Sequence, residues 1–188
     1  MAIFNLKNII RRVFFLLGEC LFVRSLNAAE PWSDSGITYG FATKSDYKRI
    51  RELYWSLSGS DFSRSQKFML RLYINKQIVV AKMGAEVLGF NYYYRNLEDK
   101  KQQMIHEGYI GVLSSYNGKG IATLMRKYAH AYFRSEGLEG VSNRISEANM
   151  ASLNSARKLG FKVVEKYFDA GMNECRYYLI CTFNESDS

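Results

Sequence analysis

Residues 115–132, SYNGKGIATLMRKYAHAY, set Gly118, Gly120 and Ala122 around Lys119 and then run into an apolar stripe. Ile121, Leu124, Met125, Tyr128, Ala129 and Tyr132 recur at i, i+3, i+4 and i+7, which predicts a helix from Gly118 to about Ser135. A strand, a tight glycine turn and a helix start together present unpaired backbone N–H groups at the positive end of a helix dipole, which is an anion site. Gly118 and Gly120 carry no Cβ, so a phosphate can approach the backbone, and Lys119 adds charge. The usual nucleotide loops do not fit. Gly111 lies too far upstream and Gly120 follows the lysine, against the P-loop order; Thr123 stands where the dinucleotide pattern needs glycine. On these residues alone, a purely structural turn is the alternative.

Working outward, MIHEGYIGVLSSY (104–116) reads as the strand that feeds this loop, preceded by a charged connection, RNLEDKKQQ (95–103). IVVAKMGAEVLGFNYYY (78–94) reads as a hairpin turning at Met83-Gly84-Ala85-Glu86, and ITYGFAT (37–43) as a strand. A helix capped by Thr43 or Ser45 places Tyr47, Ile50, Leu53, Tyr54 and Leu57 on one face, and a shorter run spans Arg64 to Tyr73. After the loop helix come a strand near Val141–Ser146, a helix from Met150 to Leu159 stopped by Gly160, and a closing pair, FKVVEKYF and ECRYYLICTF. Hairpins first and helices between strands later predict an α/β (α+β) domain around a mixed, mostly antiparallel sheet flanked by helices.

Residues 1–32 differ from this domain, which is taken as 33–188. Lys7, Arg11 and Arg12 precede an apolar block, Val13 to Val23, interrupted by Gly18 and Glu19. The block is too short for a spanning helix. A signal peptide fits the basic start, but Glu19 counts against it. The favoured reading is an extra amphipathic helix that lies at a membrane interface or docks on a partner or on its own domain.

The 188 residues suffice for one well-buried core. Three cysteines without CxxC spacing and two histidines leave no disulfide framework and no metal site, so a reducing, cytoplasmic setting is expected. The net charge of +8 comes from scattered Lys and Arg with no recognition motif, so nucleic acid is not an expected partner; a phosphate-bearing ligand or an anionic surface accounts for it as well.

N-G-K-G-I-A at 117–122 resembles the acyl-CoA pyrophosphate loop, Q/R-x-x-G-x-G/A, of the GNAT superfamily of N-acetyltransferases. GAEVLGF, a long strand ending in Val112, and NMASLNSARKLGF (149–161) agree with that family in order, and the resemblance covers residues 37 to 183. It implies a GNAT-like sheet with acetyl-CoA as co-substrate and no metal. Cofactor contacts would come from Asn117, Gly118, Lys119, Gly120, Ile121 and Ala122, from the backbone N–H groups of Val112 and Leu113 with Ser114 nearby, and from Asn149 and Ser152, whose plainer role is helix capping. A backbone donor to the thioester oxygen is worth ~3 kcal/mol in acyl-transfer sites. Two departures stand out. Asn117 replaces the usual Arg or Gln, and Ala156 takes the place of a tyrosine that protonates the leaving thiolate.

For the base, Glu107 is preferred and His106 is second; on a regular strand they face opposite sides, and either can be an ordinary strand residue. The aromatic set Phe90, Tyr92, Tyr93, Tyr94, Tyr167, Phe168, Tyr177 and Tyr178 can wall an acceptor pocket or simply fill the core. The expected activity is acetyl transfer to a primary amine of a small molecule, for instance an amino sugar on a nucleotide or lipid carrier. A protein or peptide N-acetyltransferase and a non-catalytic acyl-CoA-binding module are the alternatives. Residues 1–24 are the expected peripheral membrane contact; they and a surface strand are the candidates for a homodimer interface.

Overall fold

The computed structural model describes residues 2–183; of the side chains before Val13, those of Ile10 and Arg11 are described. An N-terminal helix α1 (Ala2–Ser25) leads into strands β1 (Trp32–Asp34) and β2 (Ile37–Phe41), then helices α2 (Tyr47–Ser58) and α3 (Arg64–Gln77). The hairpin follows as β3 (Ile78–Met83) and β4 (Glu86–Tyr94), then a short helix α4 (Leu97–Lys101) and β5 (Met104–Val112). The second half runs α5 (Ile121–Ser135), β6 (Gly140–Ser146), α6 (Met150–Arg157), β7 (Lys162–Asp169) and β8 (Glu174–Thr182). These form one eight-stranded sheet in the order β1-β2-β3-β4-β5-β6-β8-β7. Every neighbouring pair is antiparallel except β5–β6, the pair that the α5 crossover joins in parallel. The mixed, mostly antiparallel sheet expected from the sequence is the one observed.

Alternation along the strands divides the core between two faces. Leu88, Tyr93, Ile105 and Val141 pack under α5 and α6 with Met125, Ala129 and Phe133. Phe90, Tyr92 and Val80 pack under α2 and α3 with Ile50, Leu53, Leu70 and Ile74. Several boundaries differ from the sequence expectation. The strand entering the loop ends at Val112, and Ser114–Tyr116 form a 3-10 turn rather than further strand. α3 runs on to Gln77 across a kink at Tyr73 (φ −133°). The connection after β4 holds α4, because Asn96 Oδ1 accepts from the Glu98 and Asp99 N–H groups (2.8 and 3.0 Å) and Asp99 accepts from the Asn96 N–H (3.1 Å). That reciprocal cap fixes where the Asp99 carboxylate lies.

α1 docks on its own domain. Glu19, which interrupted the apolar block, is buried and receives Arg95 Nη2 at 2.9 Å, while the Arg95 guanidinium sits 3.3 Å from the Phe22 ring centroid. Burial raises the Glu19 pKa despite the opposing Arg95 charge. Val23 and Leu26 are buried as well. No helix among the described residues is long and apolar enough to cross a membrane.

Candidate active site

The decisive local event is a parting of two strands. β5 and β6 pair only from Met104↔Gly140 to Glu107↔Asn143. Beyond that point β6 continues against β8, and β5 continues against β4 after a bulge that skips Gly108. Gly108 suits the bulge because a Cβ there would overlap the Tyr94 ring. The freed edge of β5 faces a gap with unpaired backbone groups.

Strand alternation decides which groups those are. The Leu113 N–H donates to the Leu88 carbonyl (2.8 Å), so Leu113 points back into the sheet and cannot serve a ligand. The N–H groups of Val112 and Ile110 alternate with it and face the gap. Of the two backbone donors expected from the sequence, the Val112 N–H lies on the free edge and the Leu113 N–H does not; the Ile110 N–H is on that edge as well.

Below the gap, a cleft of about 400 Å3 is lined by Ile110, Gly111 and Val112, by Tyr116, Asn117, Gly118, Gly120, Ile121 and Ala122, and by Asn149, Ser152, Ser155 and Lys158 across from them. Gly118 and Gly120 have φ of +76° and +80°, backbone that a side-chain-bearing residue adopts only with strain. No side chain caps α5 and its first turn carries no acid, so its leading N–H groups are open to an anion. Lys119 and Ser114 lie outside this lining. Lys119 Nζ instead sits 4.6 Å from the Tyr116 ring centroid, and the Ser114 carbonyl accepts from the Asn117 N–H (3.2 Å). Asn149 caps α6 by accepting from the Ser152 N–H (3.0 Å), and the Ser152 hydroxyl accepts from Arg126 Nη2 (3.1 Å), so both have structural duties while facing the cleft. Ala156 is fully buried in the core. The neighbouring hydroxyls in the cleft are Ser155 and Thr123, 3.1 Å apart.

Glu107 is committed to a buried ion pair. It faces α5, wholly buried, and Arg126 grips both its oxygens (Nη2 to Oε1 at 2.6 Å, Nε to Oε2 at 2.9 Å). Asn91 adds a hydrogen bond at 2.9 Å, and Asn143 a longer one. Burial pushes its pKa up, but Arg126 and these donors overcome that and hold it at about 2. A carboxylate so satisfied ties the strands together just before they part. The sequence pointed to Glu107 but not to Arg126, a charged residue beside the apolar stripe of α5.

His106 faces the other side of the sheet. Its Nδ1 lies 2.7 Å from the Ser142 hydroxyl, which donates to Asp99 Oδ1 at 2.5 Å. The Ser142 oxygen therefore accepts from an Nδ1–H, leaving Nε2 unprotonated. Burial lowers the His106 pKa to about 4, opposed by Asp99 and assisted by Arg144. Tyr94 lies against the imidazole, ring centroids 5.1 Å apart, and covers the bulge. Neither Asp99 nor Ser142 carried a sequence signal for this role.

The aromatic set divides. Phe90 and Tyr93 are core. Tyr92 and Tyr94 line a second cavity, about 330 Å3, closed by Phe15, Leu16 and Glu19 of α1. The Tyr177 hydroxyl donates to Glu147 (2.9 Å), and Phe168 is exposed on the edge strand.

Comparison with known proteins agrees with this geometry. The family model described as Acetyltransferase (GNAT) family matches residues 47–161, more than half of the chain. No curated protein matches the sequence significantly. Among solved structures, Ard1 of Thermoplasma volcanium is 11% identical with a TM-score of 0.68, covering 80% of this chain and 99% of its own. The NatC complex bound to Gag peptide and CoA gives 17% and 0.70, covering 79% and 99%. The Salmonella typhimurium protein yncA, solved with its cofactor acetyl-CoA, gives 18% and 0.66, covering 82% and 98%. At these identities the structures speak for the fold alone, and the family match supplies the membership. The chain belongs to the GNAT family of acetyltransferases.

Proposed function

We propose that the protein transfers the acetyl group of acetyl-CoA to a primary amine at the end of a polypeptide, presented where β5 and β6 part. One observation carries the reading: an uncapped helix N-terminus, two left-handed glycines and the freed β5 edge converge on one cleft. The cleft residues Asn117, Gly118, Gly120, Ile121 and Ala122 fit a pyrophosphate, and the gap beside Val112 fits the extended arm above it. When bound there, acetyl-CoA supplies an activated acetyl carbonyl. Of the two N–H groups on the freed edge, Ile110 and Val112, one donates to the carbonyl oxygen and the other, two residues along the strand, to the arm that carries the thioester. His106, neutral and held in one tautomer by Ser142 and Asp99, takes the proton that the amine loses on acylation. The polypeptide acceptor is supported by the exposure of Arg144 beside the parting and by the Gag peptide bound in NatC. A small-molecule amine such as an amino sugar is the competing acceptor, and detectable CoA release with any amine separates both from a non-catalytic acyl-CoA-binding module.

The cofactor site is tested by the melting temperature with and without acetyl-CoA. At ~100 times Kd the ligand should add ~2.7 kcal/mol, several degrees for a chain of this size. Gly120→Asp should abolish the rise, since it strains the turn and puts a carboxylate at the helix N-terminus. A wild-type protein that shows no rise sinks the proposal.

The segment 1–32 is proposed as an appended membrane contact. Val13, Phe14, Leu17 and Leu21 leave one face of α1 exposed, opposite the buried Glu19, and Phe68 and Leu72 of α3 are exposed too. Arg11 and Arg24 are exposed on the same helix. Sedimentation with vesicles containing anionic lipid should carry the protein down and release it in the Leu17→Asp/Leu21→Asp variant. Equal sedimentation of both would overturn this.

A further inference from the structure

The acceptor side of the parting carries a cation without an acid. Arg144 is the first residue of β6 beyond the last β5 pairing, Glu107↔Asn143, and stands two residues from Ser142 on the same face. Its guanidinium lies 5.0 Å from the Tyr178 ring centroid, it is exposed, and it makes no ion pair among the described residues. The neighbouring arginine on that face, Arg176, is held by Asp169 (3.9 Å) and Glu174 (3.6 Å). Arg144 is near enough to act electrostatically on His106, Tyr94 and Tyr178 together. Asp99, a buried carboxylate on this side, is already used by Ser142 and its own helix cap.

Resting on the transferase reading above, we infer that Arg144 reads an anionic group on the acceptor, so that the preferred substrate is an amine whose adjoining residues are acidic. The reasoning is positional. The reacting amine has to reach the gap beside Val112 and the imidazole of His106. Whatever follows the amine then leaves across Tyr94 and Tyr178, past the guanidinium. A guanidinium resting beside an aromatic ring and without an acidic partner among the described residues keeps its N–H fork available for bidentate capture of a carboxylate. The overall positive charge would assist the approach of such a substrate.

The test compares acetyl-CoA-dependent CoA release for two hexapeptides with free N-termini, one carrying Asp at positions two and three and the other Asn. γ-Aminobutyrate and its amide make a parallel small-amine pair. A hydrogen-bonded charge pair predicts about 10- to 100-fold higher kcat/KM for the acidic member, mostly through KM. Arg144→Ala should erase the preference and Arg144→Glu should invert it, with the acetyl-CoA melting shift unchanged in both, since Arg144 does not line the cofactor cleft. Turnover without an acidic preference, or a preference that survives Arg144→Ala, overturns the inference and leaves the activity standing. Failure to turn over any of the four amines, with the acetyl-CoA shift intact, overturns the acceptor reading itself and the inference with it.

Discussion

Arg126→Met should cost about 3–5 kcal/mol of stability, the largest loss expected from a single change in this chain. The substitution keeps most of the volume but leaves the Glu107 carboxylate buried with neutral partners, Asn91 and Asn143 among them. Glu107→Leu alone should be similarly damaging, because it strands a guanidinium that is completely buried. The double variant should lose much less than the sum, since a desolvated pair replaced by apolar side chains often costs little. Additive losses in denaturant unfolding would show that the pair does not act as a unit.

The same buried groups set an acid limit on stability, and their signs agree. Glu107 is held at about 2 against an ordinary 4.5, so its contribution is complete above 4.5 and disappears as pH falls through 2. His106 and His130 are lowered from 6.5 to about 4, chiefly by burial. Their neutral forms favour the folded state, so stability falls from pH 6.5 to 4 by up to ~1.4 kcal/mol per pH unit for each. Melting temperature against pH should therefore begin to drop well above the carboxylate range. A flat profile between 6.5 and 5 would contradict the neutral, buried histidines.

His106→Gly should lower kcat by about 10²- to 10⁴-fold while the acetyl-CoA melting shift stays intact. The separation is expected because His106 faces the side of the sheet opposite Glu107 and α5 and does not line the cleft around Gly118 and Gly120. Added imidazole should restore part of the rate, which no purely structural role would permit. The wild-type profile should lack a limb near 6.5, since the imidazole stays neutral down to about 4; the acceptor amine sets the remaining dependence. Asp99→Asn removes the charge that favours the imidazolium, so it should lower kcat and leave KM for acetyl-CoA unchanged. Full activity of His106→Gly, with no response to imidazole, would remove this residue from the mechanism.

The sequence legible by itself was the sequence whose physics is local. The stripe from Ile121 to Tyr132 needs only helical periodicity, and Gly118 and Gly120 need only the restriction on positive φ. Hence the loop, the hairpin and the mixed sheet could be read along the chain, and so could the opposite facing of His106 and Glu107. Alternation alone, however, cannot say which partners close on each of them. That depended on Arg126, 19 residues away, closing on Glu107, and on Asp99, 43 residues from Ser142, closing on the His106 side. The parting of β5 from β6 was equally hidden, because it follows from the bulge at Gly108 and from β8 claiming the rest of β6. Only that tertiary arrangement assigned the free N–H groups to Ile110 and Val112 instead of Leu113. Local sequence determined the glycine turn and the helix it opens; contacts between distant strands and helices decided which side chains are spent on holding the sheet together and which backbone groups are left free.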